Sequence, residues 1–260
     1  ATTASTTPSA APPQTKLQSR LLLLVQNQQG YLNLCELLSR AWVQNTATNG
    51  QAQLRWEWLQ ELGDGLIVLS GAHAGLVGQA LLAEDEGKAS EYALQLAGLF
   101  PHRFYLEVQR AGRSSDEAHT TACARLAARL HLPLVATHPI EFLAEDDFEA
   151  HEARVCIAEG ELLANPKRPK RYSSQQFFQS TAQMQTLFAD LPAALANSVA
   201  IAQRCNLTLQ LGQPRLPDYP IPLVDGQQLD EVAYFRHASH TGLAERLAHL
   251  YPNEAERERE

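Results

Sequence analysis

LPLVATHPIEFLAEDDFEAHEARVCIAEG, residues 132–160, is the stretch whose reading decides the fold. Its first seven residues, Leu132 to His138, make a short apolar run of the kind buried on both faces of a sheet. Asp146 and Glu149 then open a helix that runs to about Ala158. A buried strand followed by a helix is half of a βαβ unit, and the same rhythm recurs upstream.

Working outward, three more apolar runs read as strands: Leu21–Gln26 (LLLLVQ), GDGLIVLSG closed by Gly71, and Arg103–Gln109 (RFYLEVQ). Helical spacing marks Gly30–Val43, Trp56–Leu62, Leu76–Ala83 and Ser90–Leu99. Ser114 and Glu117 form a capping-box pattern that opens a helix reaching about Leu130. Strands separated by helices imply parallel pairing. Four strands make a poor closed barrel, so the sheet is either open or short of strands.

After residue 160 the pattern changes. ANPKRPKRYSS carries the one local basic run, Lys167, Arg168, Lys170 and Arg171. It reads as a solvated loop or as a contact to DNA or to an acidic partner. Tyr172, Phe177 and Phe178 follow in a helix-like pattern, SSQQFF, and read as core aromatics. Helices are expected at Thr181–Phe188 and Pro192–Arg204, then a strand-like NLTLQLG, then a Pro-rich linker, QPRLPDYPIP. Gln227–Leu250 is a last helical region, and NEAERERE is solvated charge whose abrupt end reads as an artificial boundary.

With 260 residues, 45% of them hydrophobic, the chain can build one large core or two modest ones. Its net charge of −8 excludes a free-standing nucleic-acid clamp, which needs a basic surface. Cys35, Cys123, Cys156 and Cys205 form no CxxC pair and read as buried free thiols in a reducing cytoplasm. No apolar run approaches the ~20 residues a membrane span needs. Residues 1–16 lack the basic and apolar regions of a secretory signal and read as a disordered tail or loop.

Several of these stretches, quoted in order, resemble the α subunit of bacterial DNA polymerase III. They are RLLLLVQNQQGYLNLCELLSRA, with its N-x-x-G-Y-x-N-L turn, DGLIVLSG, FPHRFYLEVQRAGR, the opening stretch at 132–160, and NPKRPKRYSSQQFFQSTAQMQTLFADLPAALANSVAIAQRCNLTLQLG. Together they cover residues 20–212, with looser similarity over 213–260. The resemblance implies an α/β fold: a PHP-type distorted β/α barrel, incomplete at its N-terminus, followed by a mostly helical segment leading towards a polymerase palm. The divisions expected are 1–19 as tail or loop, 20–212 as the PHP portion, and 213–260 as linker and helix.

The resemblance also implies a metal site that this chain has lost. Members with an intact site carry His where Arg20 stands, Cys where Ala72 stands, and Asp and His where Pro139 and Glu141 stand. Of these four, Glu141 alone has a donor atom for a metal. No catalytic, cofactor or metal site is therefore expected, and Arg20 is expected to pair with Glu141, beside His138. His73 and His138 read as ordinary strand-end histidines. Glu107 reads as a buried acid paired with a nearby arginine. His151-Glu152 starts like HExxH, but Val155 stands where the second His would be. No Asp-x-Asp motif supplies a polymerase metal pair. The expected role is a non-catalytic structural and interaction module of a replicative DNA polymerase. Its implied partners are the proofreading exonuclease subunit and, in the full-length protein, DNA. The alternative is a metal-dependent phosphoesterase or nuclease of the PHP superfamily.

Overall fold

The computed structural model describes residues 19–214 and 218–259, so the expectation for residues 1–16 and part of the Pro-rich linker lie outside the described residues. Four strands form one sheet in sequence order: β1 (Leu22–Val25), β2 (Leu66–Leu69), β3 (Phe104–Gln109) and β4 (Leu134–Thr137). The pleat sends alternate side chains to opposite faces, and the apolar runs are long enough to fill both. Leu66, Val68, Phe104, Leu106, Val108 and Ala136 face the larger core. Ile67, Leu69, Tyr105 and Val135 face the smaller one.

The larger core is closed by α1 (Gln28–Gln44), α3 (Leu76–Leu82), α4 (Glu86–Leu99) and α5 (Asp116–Leu130), which contribute Leu37, Val77, Leu96 and Leu126. The smaller core is closed by α8 (Pro192–Arg204) through Ile201. Asn197 of α8 donates to Leu134 O at 2.7 Å, and Arg204 donates to the Tyr105 hydroxyl at 2.7 Å. α8 is thus part of the same layered unit, the cover of the sheet's second face.

One expectation fails here. β2, β3 and β4 are parallel, as βαβ units require, but β1 runs antiparallel to β2, with Leu22 opposite Leu69 and Val25 opposite Leu66. The reason lies in the connection. It holds both α1 and α2 (Trp56–Glu61), so the chain goes out along one helix and comes back before β2 starts beside the end of β1. β1 is an edge strand, and Leu22 is 44% exposed rather than buried on both faces. Among the described residues the sheet is open and mixed, and no barrel closes.

The N-x-x-G-Y-x-N-L turn has a clear local cause. The Asn27 side chain caps α1 by accepting from Gly30 N at 3.0 Å, and Asn33 donates to Asp64 O at 2.9 Å. A Cβ on Gly30 would lie 2.0 Å from Gly65 O, so only glycine lets α1 start this close to β2. The buried stripe of α1 is Gly30, Asn33, Leu37 and Ala41, so Cys35 falls off it and is exposed, contrary to expectation. Cys123 and Cys156 are buried.

Other boundaries shift. Ser114 does not cap α5, which starts at Asp116, and Glu117 pairs with Arg110 instead. A 3-10 turn, Glu145–Asp147, precedes α6 (Phe148–Glu159). SSQQFF is not helical: Phe142 and Phe177 form a parallel bridge, Phe177 is buried and Phe178 is exposed. NLTLQLG forms no strand. α7 spans Thr181–Leu187.

A second unit begins at Gln210. It contains α9 (Glu231–Leu250), capped by Asp230, and α10 (Glu254–Arg259), which is formed by the charged tail. Tyr219 stacks on Tyr234 within it.

Candidate functional site at the strand ends

Parallel strands release their following loops at one end, where side chains from separate segments converge. Because β1 is antiparallel, Arg20, two residues before it, arrives at this same end. Its backbone N donates to Ala74 O at 2.9 Å, and a Cβ on Gly71 would lie 2.1 Å from Arg20 O. Gly71 has φ of 82°, which ends β2 in a left-handed turn and leads into the 3-10 turn Ala72–Ala74. Arg20 therefore lies against the turn that carries Ala72.

The centre of this end is Glu107, on β3 and only 3% exposed. Its Oε1 accepts from the Thr137 hydroxyl at 2.5 Å and from Gln109 Nε2 at 3.3 Å, and its Oε2 accepts from Gly71 N at 3.1 Å. Its backbone N donates to Ser70 Oγ at 2.9 Å. Among the described residues no arginine pairs with it. Neutral donors from the ends of β2, β3 and β4 satisfy the carboxylate instead, which serves a buried charge without importing a second desolvated ion.

A second cluster lies beside it. Asp116, 3% exposed, closes the β3–α5 loop: its Oδ2 accepts from Ala111 N at 2.6 Å and from Arg113 N at 3.0 Å. Its Oδ1 stands 3.2 Å from His73 Nε2, without the alignment of a hydrogen bond. His73 stacks on His119 with ring centroids 4.4 Å apart. His119 is 1% exposed, and desolvation lowers its pKa to about 4, helped by neighbouring His73. Desolvation lowers that of His73 as well, against the pull of Asp116. Burial pushes the Cys123 thiol up to about 12, so it is an inert core thiol.

The remaining sequence candidates are dispersed. His138 donates through Nε2 to Gln175 O at 2.8 Å, since a carbonyl can only accept. Glu141 is exposed, its N bonded to Gln176 O at 2.8 Å, and among the described residues no ion pair joins it to Arg20. The strand-turn that carries Pro139 is instead tied to residues 175–178. The basic run is half consumed: Arg168 reaches Glu152, itself 3% exposed, at 2.5 Å, and Arg171 lies 3.4 Å from Glu159. Lys167 and Lys170 stay exposed. Of the strand-end residues, Asp116, His119 and Arg110 had escaped the sequence reading, because they sit within an ordinary amphipathic helix pattern or a loop.

The donor set does not fit a divalent cluster at the family positions. A guanidinium, a methyl group and a proline ring stand at Arg20, Ala72 and Pro139, and Glu107 is committed to protein donors. Among the described residues no group of three or more His, Cys, Asp or Glu is placed to hold a metal ion, and no helix is long and apolar enough to cross a membrane.

Comparison with known proteins matches the PHP domain to residues 6–111. The chain is 49% identical over 236 residues to the DNA polymerase III subunit alpha of Pseudomonas aeruginosa, covering 91% of this chain and 20% of that protein. It is 48% identical over 241 residues to that of Neisseria meningitidis serogroup A and 42% identical over 239 residues to that of Escherichia coli strain K12. In those two cases 92% of this chain aligns with 21% and 20% of the relative. The chain spans about a fifth of the length of the curated relatives it matches.

Proposed function

We propose that this chain, similar over nine-tenths of its length to DNA polymerase III α subunits, is the PHP segment of a replicative DNA polymerase and works there without a catalytic site of its own. Its role is to brace the polymerase and to hold partners, with the proofreading exonuclease subunit and, through the full-length protein, DNA as the proposed ones. The compartment would be the cytoplasm.

The observation that carries this reading is the Glu107 network. The carboxylate best placed to ligate a metal at the strand ends spends both oxygens on Thr137, Gln109 and Gly71. Those three bonds leave about one of its roughly four lone pairs for a metal, too few for a carboxylate that would bridge two ions of a hydrolytic cluster. The side chains at Arg20, Ala72 and Pro139 cannot replace it.

A second reading, a phosphoesterase with a displaced site, is favoured by one observation: His73, Asp116 and His119 carry buried polar atoms with no aligned partner. Metal analysis and hydrolysis of a phosphodiester by the full-length protein, in zinc and in manganese, separate the two. The scaffold reading expects no stoichiometric metal in the PHP segment and no cleavage beyond that of an Asp116→Asn variant. Metal retained in wild type and lost with Asp116→Asn, together with cleavage, would establish the second reading.

A further inference from the structure

We propose that the ridge built by residues 140–143 and Phe178 is the docking surface for a peptide segment of another chain that carries Lys or Arg beside large apolar side chains. The inference rests on the reading of this chain as an interaction module and names the surface and the chemistry it would use.

Three large apolar side chains crown the ridge: Ile140 is 47% exposed, Leu143 75% and Phe178 61%. They come from two segments that the backbone pins together, since Phe178 N donates to Phe142 O at 3.1 Å and to Leu143 O at 3.3 Å. The support beneath is rigid. Gln176, 1% exposed, donates to Pro139 O at 3.2 Å and accepts from Ser173 N at 3.0 Å. The Phe142 ring packs on Phe148 and His151, and His151 packs edge-on to Tyr172. A surface already ordered loses little entropy on binding.

A shallow concavity flanks each side. One is lined by Glu145, Phe177, Gln183 and Leu187, the other by Glu141, Leu143, Asp147 and Arg154. These are places for side chains that straddle the ridge.

Charge sets the occupant. Glu141, Glu145, Asp146, Asp147 and Glu149 are exposed, and among the described residues none of them has an ion-pair partner, although Asp147 also caps Ala144 N at 2.9 Å. Elsewhere several exposed carboxylates are paired, Glu61 with Arg40, Asp85 with Lys88, Glu86 with Arg129 and Asp190 with Arg110, while others such as Glu57 and Glu84 have no ion pair among the described residues; what sets the ridge apart is five acids within nine residues beside exposed apolar side chains. Five unpaired acids around three exposed apolar side chains complement a basic, apolar segment, and Arg154 is the one cation lining either concavity.

The test places the photo-cross-linking amino acid p-benzoylphenylalanine at position 143, and separately at 178, of the full-length protein in cells. A third protein carries it at Leu94, which is 54% exposed on α4. Adducts are mapped by mass spectrometry. Positions 143 and 178 are expected to label one segment of a different chain, rich in Lys or Arg and in large apolar residues, and the Leu94 position is not. Combining either with Glu141→Lys and Glu145→Lys is expected to cut the adduct about tenfold. Labelling of the same polymerase chain, of an acidic or neutral segment, or of nothing overturns the proposal, as does a yield indifferent to the charge reversals. The metal and phosphodiester measurements do not depend on this surface, so either reading can fail alone.

Discussion

Arg110 and Asp190, 80 residues apart, form a two-pronged pair: Nη1 lies 2.6 Å from Oδ1 and Nη2 lies 2.9 Å from Oδ2. The same guanidinium holds Glu117 at 2.9 Å, donates to Leu187 O at 2.8 Å and lies over the Phe188 ring. These acids hold the Arg110 pKa above its ordinary value. One side chain thus fastens the α7–α8 turn to the end of β3.

Arg110→Ala should loosen that turn. Asp190 and Glu117 are solvent-exposed, so screening discounts the ion pairs, and the loss of the bond to Leu187 O weighs more. A cost of about 1–2 kcal/mol is expected, with Arg110→Lys recovering part of it. Urea unfolding checks the magnitude. Amide exchange at residues 186–190 should quicken in the alanine variant, and unchanged exchange there would contradict the clamp.

Glu107→Leu should cost about 1–3 kcal/mol, because Gly71 N and the Thr137 hydroxyl, both half-buried, would be left without this acceptor. Glu107→Gln keeps one acceptor and should cost less. If Glu107 were a working metal ligand instead, divalent ions would raise the melting temperature of wild type and not that of the Gln or Leu variant. Thermal melts with and without divalent ions distinguish these outcomes.

Stability should fall as pH drops from about 6.5 towards 4. Unfolded His119 takes its proton near 6.5, whereas the folded one resists until about 4. In that window the unfolded state binds more protons, so acid favours unfolding, by about 3 kcal/mol when the window is crossed. His73 acts in the same direction; Asp116 opposes the effect and Arg113 reinforces it at His73. Carboxylates with lowered pKa, such as Asp190, lose their contribution only below the ordinary carboxylate range. His119→Asn should flatten the curve between pH 6.5 and 4, and an unchanged slope would assign the acid limb elsewhere.

Arg168→Ala and Glu152→Ala should each lower the melting temperature, since the partner left behind is largely shielded from solvent. Lys167→Ala and Lys170→Ala should not. If all four basic residues served DNA equally, the four substitutions would weaken DNA binding of the full-length protein alike and leave its melting temperature unchanged.

The sequence by itself determined the four strands, most helices and the absence of a metal-donor side chain at Arg20, Ala72 and Pro139. These follow from local chemistry: apolar runs long enough to fill two faces, helical spacing, and side chains at Arg20, Ala72 and Pro139 that cannot bind a metal in any fold. Gly30 was legible as a turn, though its reason, contact with Gly65, was not. Tertiary structure alone decided what depends on distant partners. β1 runs antiparallel because two helices, not one, precede β2. Glu107 took neutral donors from three strand ends instead of an arginine, and Arg168 left the basic run for Glu152. His73 met Asp116 and His119 only because α5 and the turn after β2 pack together. Spacing along the chain carries local periodicity; which buried charge meets which donor is settled by the packing of segments tens of residues apart.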